Sequence, residues 1–171
     1  VVMTNGNPNC QAAPGEWSAG MYVPSFYGYQ GAKEVATMDE SFPDVMNYVE
    51  SHYKVGKDKA HRAICGLSMG GGHSFDISRR FPNKFDYVGL FSAGLHVGKT
   101  GDFRTDFYKM LQEDEEAKQQ LATLFKNKPK LYWIGMGKTD FLYKSTAGLR
   151  RYFDEKGYKY TYMETEGGHI W

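Results

Sequence analysis

The chain has little cysteine, almost no net charge and no long apolar run, and each absence removes a class of protein. Its 171 residues include two cysteines, too few for a disulfide framework. Cys65 is expected in a buried strand and Cys10 in a polar loop, both as free thiols. No Cys/His cluster has zinc spacing, so no metal site is expected, and no cofactor is called for. Lysines and arginines number 21 against 20 aspartates and glutamates, and a net charge of +1 gives no reason to invoke nucleic acid or an anionic membrane. No apolar stretch approaches the ~20 residues of a membrane-spanning helix, and no signal-peptide pattern is present. Internal repeats and low-complexity linkers are also missing, so residues 1–171 read as a single domain.

What is present is an ordinary globular composition, 41% apolar and 24% charged, with a strand–helix alternation. Strands are expected at 1–4, 61–67, 86–92, 130–136 and 158–163, and helices at 41–53, 70–80, 114–126 and 144–156. Ser41 is a suitable N-cap for the first helix, with Pro43 tolerated in its first turn. This pattern predicts an α/β fold, a mostly parallel sheet with helices on both faces. The polar span 97–128 reads as a solvated helical insertion. Aromatic residues are abundant at 16%, and Trp17, Tyr22, Phe26, Tyr27 and Tyr29 crowd into one aperiodic stretch between Gly15 and Gly31. That stretch suits a loop lining a cleft, where flat rings such as Trp17 and Tyr27 stack on arene or pyranose faces. It equally suits a long loop packed down by its own aromatics.

The most informative motif is Gly66-Leu67-Ser68-Met69-Gly70. An apolar strand candidate precedes it and a helix candidate follows it, stopping before Pro82. Strand, G-x-S-x-G, helix is the pattern of a nucleophile elbow, a tight turn that lifts a serine hydroxyl out of the carboxyl edge of a sheet. The flanking glycines are expected because a side chain there would strike a neighbouring strand or helix. The five residues alone are a weak signal; the flanking elements make them specific.

A serine hydroxyl is a poor nucleophile at neutral pH and needs a base, itself oriented by an acid. With an elbow of this kind the chain order is serine, acid, histidine. His52 and His61 precede Ser68, and His73 lies on the following helix, which leaves His96 and His169. His169 follows the last strand in the glycine-rich loop Thr165-Glu166-Gly167-Gly168, from which an imidazole can reach over the sheet edge. It is favoured as base, with His96 a site-lining or plain loop residue. The strand signal Lys130 to Gly137 is followed by Asp140, which suits the acid and would also suit a helix N-cap. Asp102, Asp106 and Asp114 compete from the polar span.

Together, Ala63 to Gly71, the Gly-x-x-Asp of Gly137 to Asp140, and Gly168-His169-Ile170-Trp171 resemble the esterase D-like α/β-hydrolases. Within them the chain most resembles carbohydrate esterase family 1, the feruloyl and acetylxylan esterases, over nearly all its length, including the helix Ser41 to Glu50. The resemblance implies Ser68 as nucleophile, Asp140 as acid, His169 as base and the Met69 backbone N–H as an oxyanion donor. It implies a feruloyl or acetyl ester of a plant cell-wall polysaccharide as substrate, and a secreted or periplasmic location. A small thioester such as S-formylglutathione would use the same mechanism, and a non-catalytic carbohydrate-binding fragment is the contrasting class. Relatives carry a preceding His-Gly loop with a second oxyanion donor and a closing C-terminal helix. The chain is therefore expected to be a fragment whose oxyanion side is incomplete, with residues 1–4 an interior strand.

Overall fold

Parallel strands need a crossover between neighbours, and the second half of this chain supplies a helical one at every step. The computed structural model describes residues 1–4, 38–97 and 106–170, in two compact units, Val1–Val55 and Gly56–Trp171. In the first unit, helix α1 runs Met38–His52, with Asp39 and Glu40 in its first turn, where carboxylates complement the helix dipole. It begins ahead of Ser41, so that residue is helical and does not cap α1. Residues 1–4 are exposed and form no strand, contrary to expectation. Among the described residues no ladder includes them, and a segment with no paired neighbour is not a sheet strand.

The second unit carries strands β1 (Ala63–Leu67), β2 (Tyr87–Phe91), β3 (Leu131–Gly137) and β4 (Thr161–Thr165). They form one sheet in the order β1-β2-β3-β4, every pair parallel. Helix α2 (Met69–Arg80) joins β1 to β2, α3 (Phe107–Glu113) and α4 (Glu115–Lys126) lie between β2 and β3, and α5 (Tyr143–Lys156) joins β3 to β4. When strand order follows chain order, right-handed crossovers put all the connecting helices on one face. The burial follows. Ile64, Val88, Leu90, Tyr132, Ile134 and Met136 are buried, while Leu67, Phe91, Leu131 and Met163, of opposite parity, are exposed. Cys65 shares that second parity, so it lies in a strand as expected but is exposed instead of buried.

Element ends moved for local reasons. Lys59–His61 forms a short 3-10 turn, so β1 starts after it. At the end of α5, Gly157 adopts φ 67° and Tyr158 N donates to Phe153 O at 2.9 Å. This left-handed cap satisfies the last carbonyls and delays β4 to Thr161. Within the polar span, read as a helical insertion, α3 is a helix beyond the one expected at 114–126, and Asp106 and Asp114 are caps. Asp106 accepts from Tyr108 N, and Asp114 accepts from Ala117 N at the start of α4.

Candidate active site

Between the last residue of β1, Leu67, and the first of α2, Met69, only Ser68 is left to reverse the chain. It takes φ 52° and ψ −115°, a conformation that costs a non-glycine residue about 1–3 kcal/mol. Surrounding backbone holds it there: Ser68 N donates to Phe91 O at 2.9 Å, and Ser68 O accepts from Gly94 N at 2.9 Å and Gly72 N at 3.2 Å. A Cβ on Gly66 would sit 2.1 Å from Gly70 O, so only glycine fits. The second motif glycine behaves differently from expectation. A Cβ on Gly70 meets nothing within 4 Å, and the collision falls instead on Gly71, 2.7 Å from Ala93 Cβ.

Asp140 ends the turn after β3, with its N–H bonded to Gly137 O at 3.2 Å. Its side chain is fully buried. Capping and orienting are not alternatives here, because the two carboxylate oxygens divide them. Oδ1 accepts from Leu142 N at 2.8 Å, at the start of α5, and Oδ2 faces His169. Burial alone would raise the pKa of this carboxyl. The Leu142 N–H, then the His169 ring and the Ser92 hydroxyl, outweigh burial and hold it below its ordinary value.

His169 reaches the site because two loops close on each other beyond the last register pair of the sheet, Gly137 with Thr165. Lys138 N donates to Thr165 O at 2.8 Å and Thr139 N to Gly167 O at 3.2 Å. A Cβ on Gly137 would lie 2.0 Å from Gly167 O, so the approach requires glycine. The imidazole then has Nδ1 2.9 Å from Asp140 Oδ2 and Nε2 2.9 Å from Ser68 Oγ, joining side chains 101 positions apart. An ionised Asp140 can only accept, so Nδ1 carries the ring proton and Nε2 accepts from the serine hydroxyl.

Met69 opens α2, at the helix end where backbone N–H groups favour negative charge. Its side chain is exposed, as are Ile170 beside His169 and Phe141 beside Asp140. The Phe141 ring centroid lies 4.7 Å from that of His169. His96 is not part of this hydrogen-bond chain: it is buried, with Nδ1 3.8 Å from Asp76 Oδ2, and Asp76 in turn pairs with Arg79 at 2.6 Å. Trp17 and Tyr27 lie outside the described residues. Among the described residues there is no group of His, Cys, Asp and Glu that could hold a metal ion, and no helix is long and apolar enough to cross a membrane. Sequence reasoning passed over Phe141 and Ser92. An aromatic directly after the acid candidate was a usable signal for the first; nothing local marked the second.

A parallel sheet with a strand–serine–helix turn at its carboxyl edge, and an imidazole brought to that serine from beyond the last strand, is the α/β-hydrolase fold. Residues 40–171 match the family model described as "Putative esterase", and the chain belongs to that family. Among solved structures it is similar to a ferulic acid esterase, at 26% identity and a TM-score of 0.60, covering 77% of this chain and 54% of that one. It is similar in fold to the S-formylglutathione hydrolase of Staphylococcus aureus, at 18% identity and a TM-score of 0.58, covering 83% and 61%. A third likeness in fold is to a CE1 ferulic acid esterase of Anaeromyces mucronatus in complex with ferulic acid, at 17% identity and a TM-score of 0.60, covering 85% and 57%. The chain thus spans between about half and three fifths of the length of these structures.

Proposed function

We propose that this chain carries the catalytic centre of a serine carboxylic ester hydrolase. The observation that carries the reading is the unbroken hydrogen-bond chain from Asp140 through His169 to Ser68, with both links at 2.9 Å. Ser68 Oγ attacks the ester carbonyl carbon while its proton passes to His169 Nε2. Asp140 holds the ring with Nδ1 protonated and stabilises the imidazolium that forms. The tetrahedral oxyanion draws on the Met69 N–H at the start of α2. Collapse of the intermediate breaks the bond to the alcohol oxygen, which takes the proton from Nε2 and leaves an acyl-Ser68 ester. Water, deprotonated by the same Nε2, then releases the acid and regenerates the serine. No cofactor enters any step.

On the substrate side, the reading is an aromatic or acetyl ester of a plant cell-wall polysaccharide. The exposed Phe141 ring beside His169 supports a flat acyl group, which would stack on it at the reacting centre. The likeness to a ferulic acid esterase at 26% identity points the same way. The test is covalent labelling followed by turnover. A fluorophosphonate should add to the peptide containing Ser68, and labelling of Ser92 or Ser74 with Ser68 untouched refutes the nucleophile. In a panel of methyl ferulate, p-nitrophenyl acetate and a glutathione thioester, the aromatic ester should be hydrolysed with the highest kcat/KM. Preference for the thioester would overturn the substrate assignment and leave the mechanism standing.

A further inference from the structure

The segment that carries His169 has little of its own to hold it in place. Between the end of β4 at Thr165 and the base lie Glu166, Gly167 and Gly168. The two glycines bring no side chain to pack and the widest backbone freedom, so Glu166 has the one side chain there that can fix the segment. Its Oε1 lies 2.5 Å from Lys138 Nζ. Lys138 sits two positions before Asp140, and its own N–H donates to Thr165 O at 2.8 Å. One lysine therefore holds two consecutive residues of the opposite loop, the first by its backbone and the second by its side chain. The contacts continue in order along the two loops. Thr139 N donates to Gly167 O at 3.2 Å, a Cβ on Gly168 would lie 3.1 Å from Thr139 Oγ1, and His169 Nδ1 meets Asp140 Oδ2 at 2.9 Å. Just before the loop, Glu164 Oε2 accepts from Tyr162 Oη at 2.7 Å and from Tyr143 Oη, at the start of α5, at 2.8 Å. The strand is thus anchored up to the point where the glycine segment begins.

We propose that Lys138 and Glu166 are positioning residues: their ion pair latches the His169 loop to the Asp140 loop and keeps the imidazole aligned between Asp140 and Ser68. The proposal rests on the reading of Ser68, His169 and Asp140 as the reacting groups. The pair acts through the loop and exchanges no proton with those groups. The Lys138 and Glu166 side chains are 48% and 86% exposed, so water and salt screen the pair and its effect is a few-fold one. When the pair opens, the two glycines let the loop drift. The fraction of time that Nε2 spends within reach of Ser68 Oγ then falls, while the surface that binds substrate is unchanged.

Lys138→Met and Glu166→Gln should each lower kcat on p-nitrophenyl acetate by about two- to fivefold with little change in KM, the range of an exposed ion pair. The double variant should be no worse than either single one, because the latch can be lost only once. Lys138→Arg keeps the cation and should keep the wild-type kcat. A field effect of the two charges on the imidazole would instead change activity in opposite directions in the two single variants, and that outcome overturns the proposal. So do losses that add in the double variant, or a loss in Lys138→Arg as large as in Lys138→Met. Hydrogen exchange in the full chain reads the latch without turnover. The Lys138 and Thr139 amide protons, both bonded to the His169 loop, should exchange about two- to fivefold faster in Glu166→Gln. Unchanged exchange overturns the latch. Faster exchange in a chain that hydrolyses nothing supports the latch and counts against the esterase reading alone.

Discussion

Two buried aspartates sit at opposite ends of the same sheet, and their partners differ in kind. Asp86 precedes β2 at the amino edge, 2.9 Å from Lys59 Nζ and 3.5 Å from Lys130 Nζ. Asp140 follows β3 at the carboxyl edge and meets an imidazole and a backbone N–H. Both carboxyls are held below their ordinary range. The Lys59 ammonium contributes most to the lowering at Asp86; at Asp140, the Leu142 N–H and then the His169 ring outweigh burial. An ammonium group only donates hydrogen bonds and has no lone pair with which to accept a proton, so the amino-edge arrangement serves as a clamp. Asp86 N also donates to Lys59 O, and Asp86 O accepts from Leu131 N, tying β2 to the segments before β1 and β3. An imidazole can gain and lose a proton near neutrality, so the carboxyl-edge arrangement has two states. On the proposed reading, the same residue type is structural at one end of the sheet and catalytic at the other, and the partner's proton decides which.

Neutralising each aspartate in turn should separate the two roles most strongly. Asp140→Asn should reduce kcat by about 10⁴-fold, because an amide no longer holds the imidazole in the correct tautomer, while the fold persists. Asp86→Asn should leave kcat near wild type and lower stability by about 1–3 kcal/mol, read as a fall in Tm. The loss stays moderate because the two lysine side chains are 35% and 56% exposed and recover water. Equal losses of activity from both variants would mean that the amino edge is not merely a clamp.

A smaller effect tests whether loop closure, and not the sheet itself, brings the imidazole to Ser68. Gly137→Ala inserts a methyl 2.0 Å from Gly167 O and should force the two loops apart, lowering kcat by 10–100-fold at a stability cost of about 1–3 kcal/mol. Gly70→Ala, with nothing within 4 Å of the new Cβ, is the control and should be close to neutral. If the two variants behave alike, the close approach at Gly137 is not what positions His169.

The smallest expected effect is on acid stability. A carboxyl whose folded pKa lies below its unfolded value stabilises the fold fully above the unfolded value, about 3.9 for aspartate, and loses that contribution as pH falls through the folded value. Both aspartates obey this sign. Asp86→Asn should therefore flatten the fall of Tm between roughly pH 5 and pH 2. Activity should disappear at a higher pH than the fold, since an imidazole takes a proton before a depressed carboxyl does. Coincident loss of the two would place the first titrating group in the scaffold.

The residues that lay open to reading were those whose signals are local. Strand and helix alternation came from apolar periodicity, the Ser68 turn from glycines at fixed offsets, and Asp140 and His169 from their positions just past strand signals. Residues 1–4 misled because apolar content suggests a strand and cannot supply the neighbour that makes one. Cys65 misled because a strand's parity says which residues share a face, not which face the helices cover. Helix α3 was hidden in a charged span, where its caps Asp106 and Asp114 looked like candidate acids.

By itself, then, the sequence determined the short-range geometry: a one-residue turn at Ser68, a cap at Gly157, and the order in which strands and helices follow one another. Sterics and hydrogen bonding between residues a few positions apart suffice for these. Only the tertiary structure decided that the imidazole of His169 spans the gap from Asp140 to Ser68 and that Gly137 admits the loop bearing it. Those contacts cross as many as 101 positions and depend on the register of four parallel strands, which no local pattern encodes.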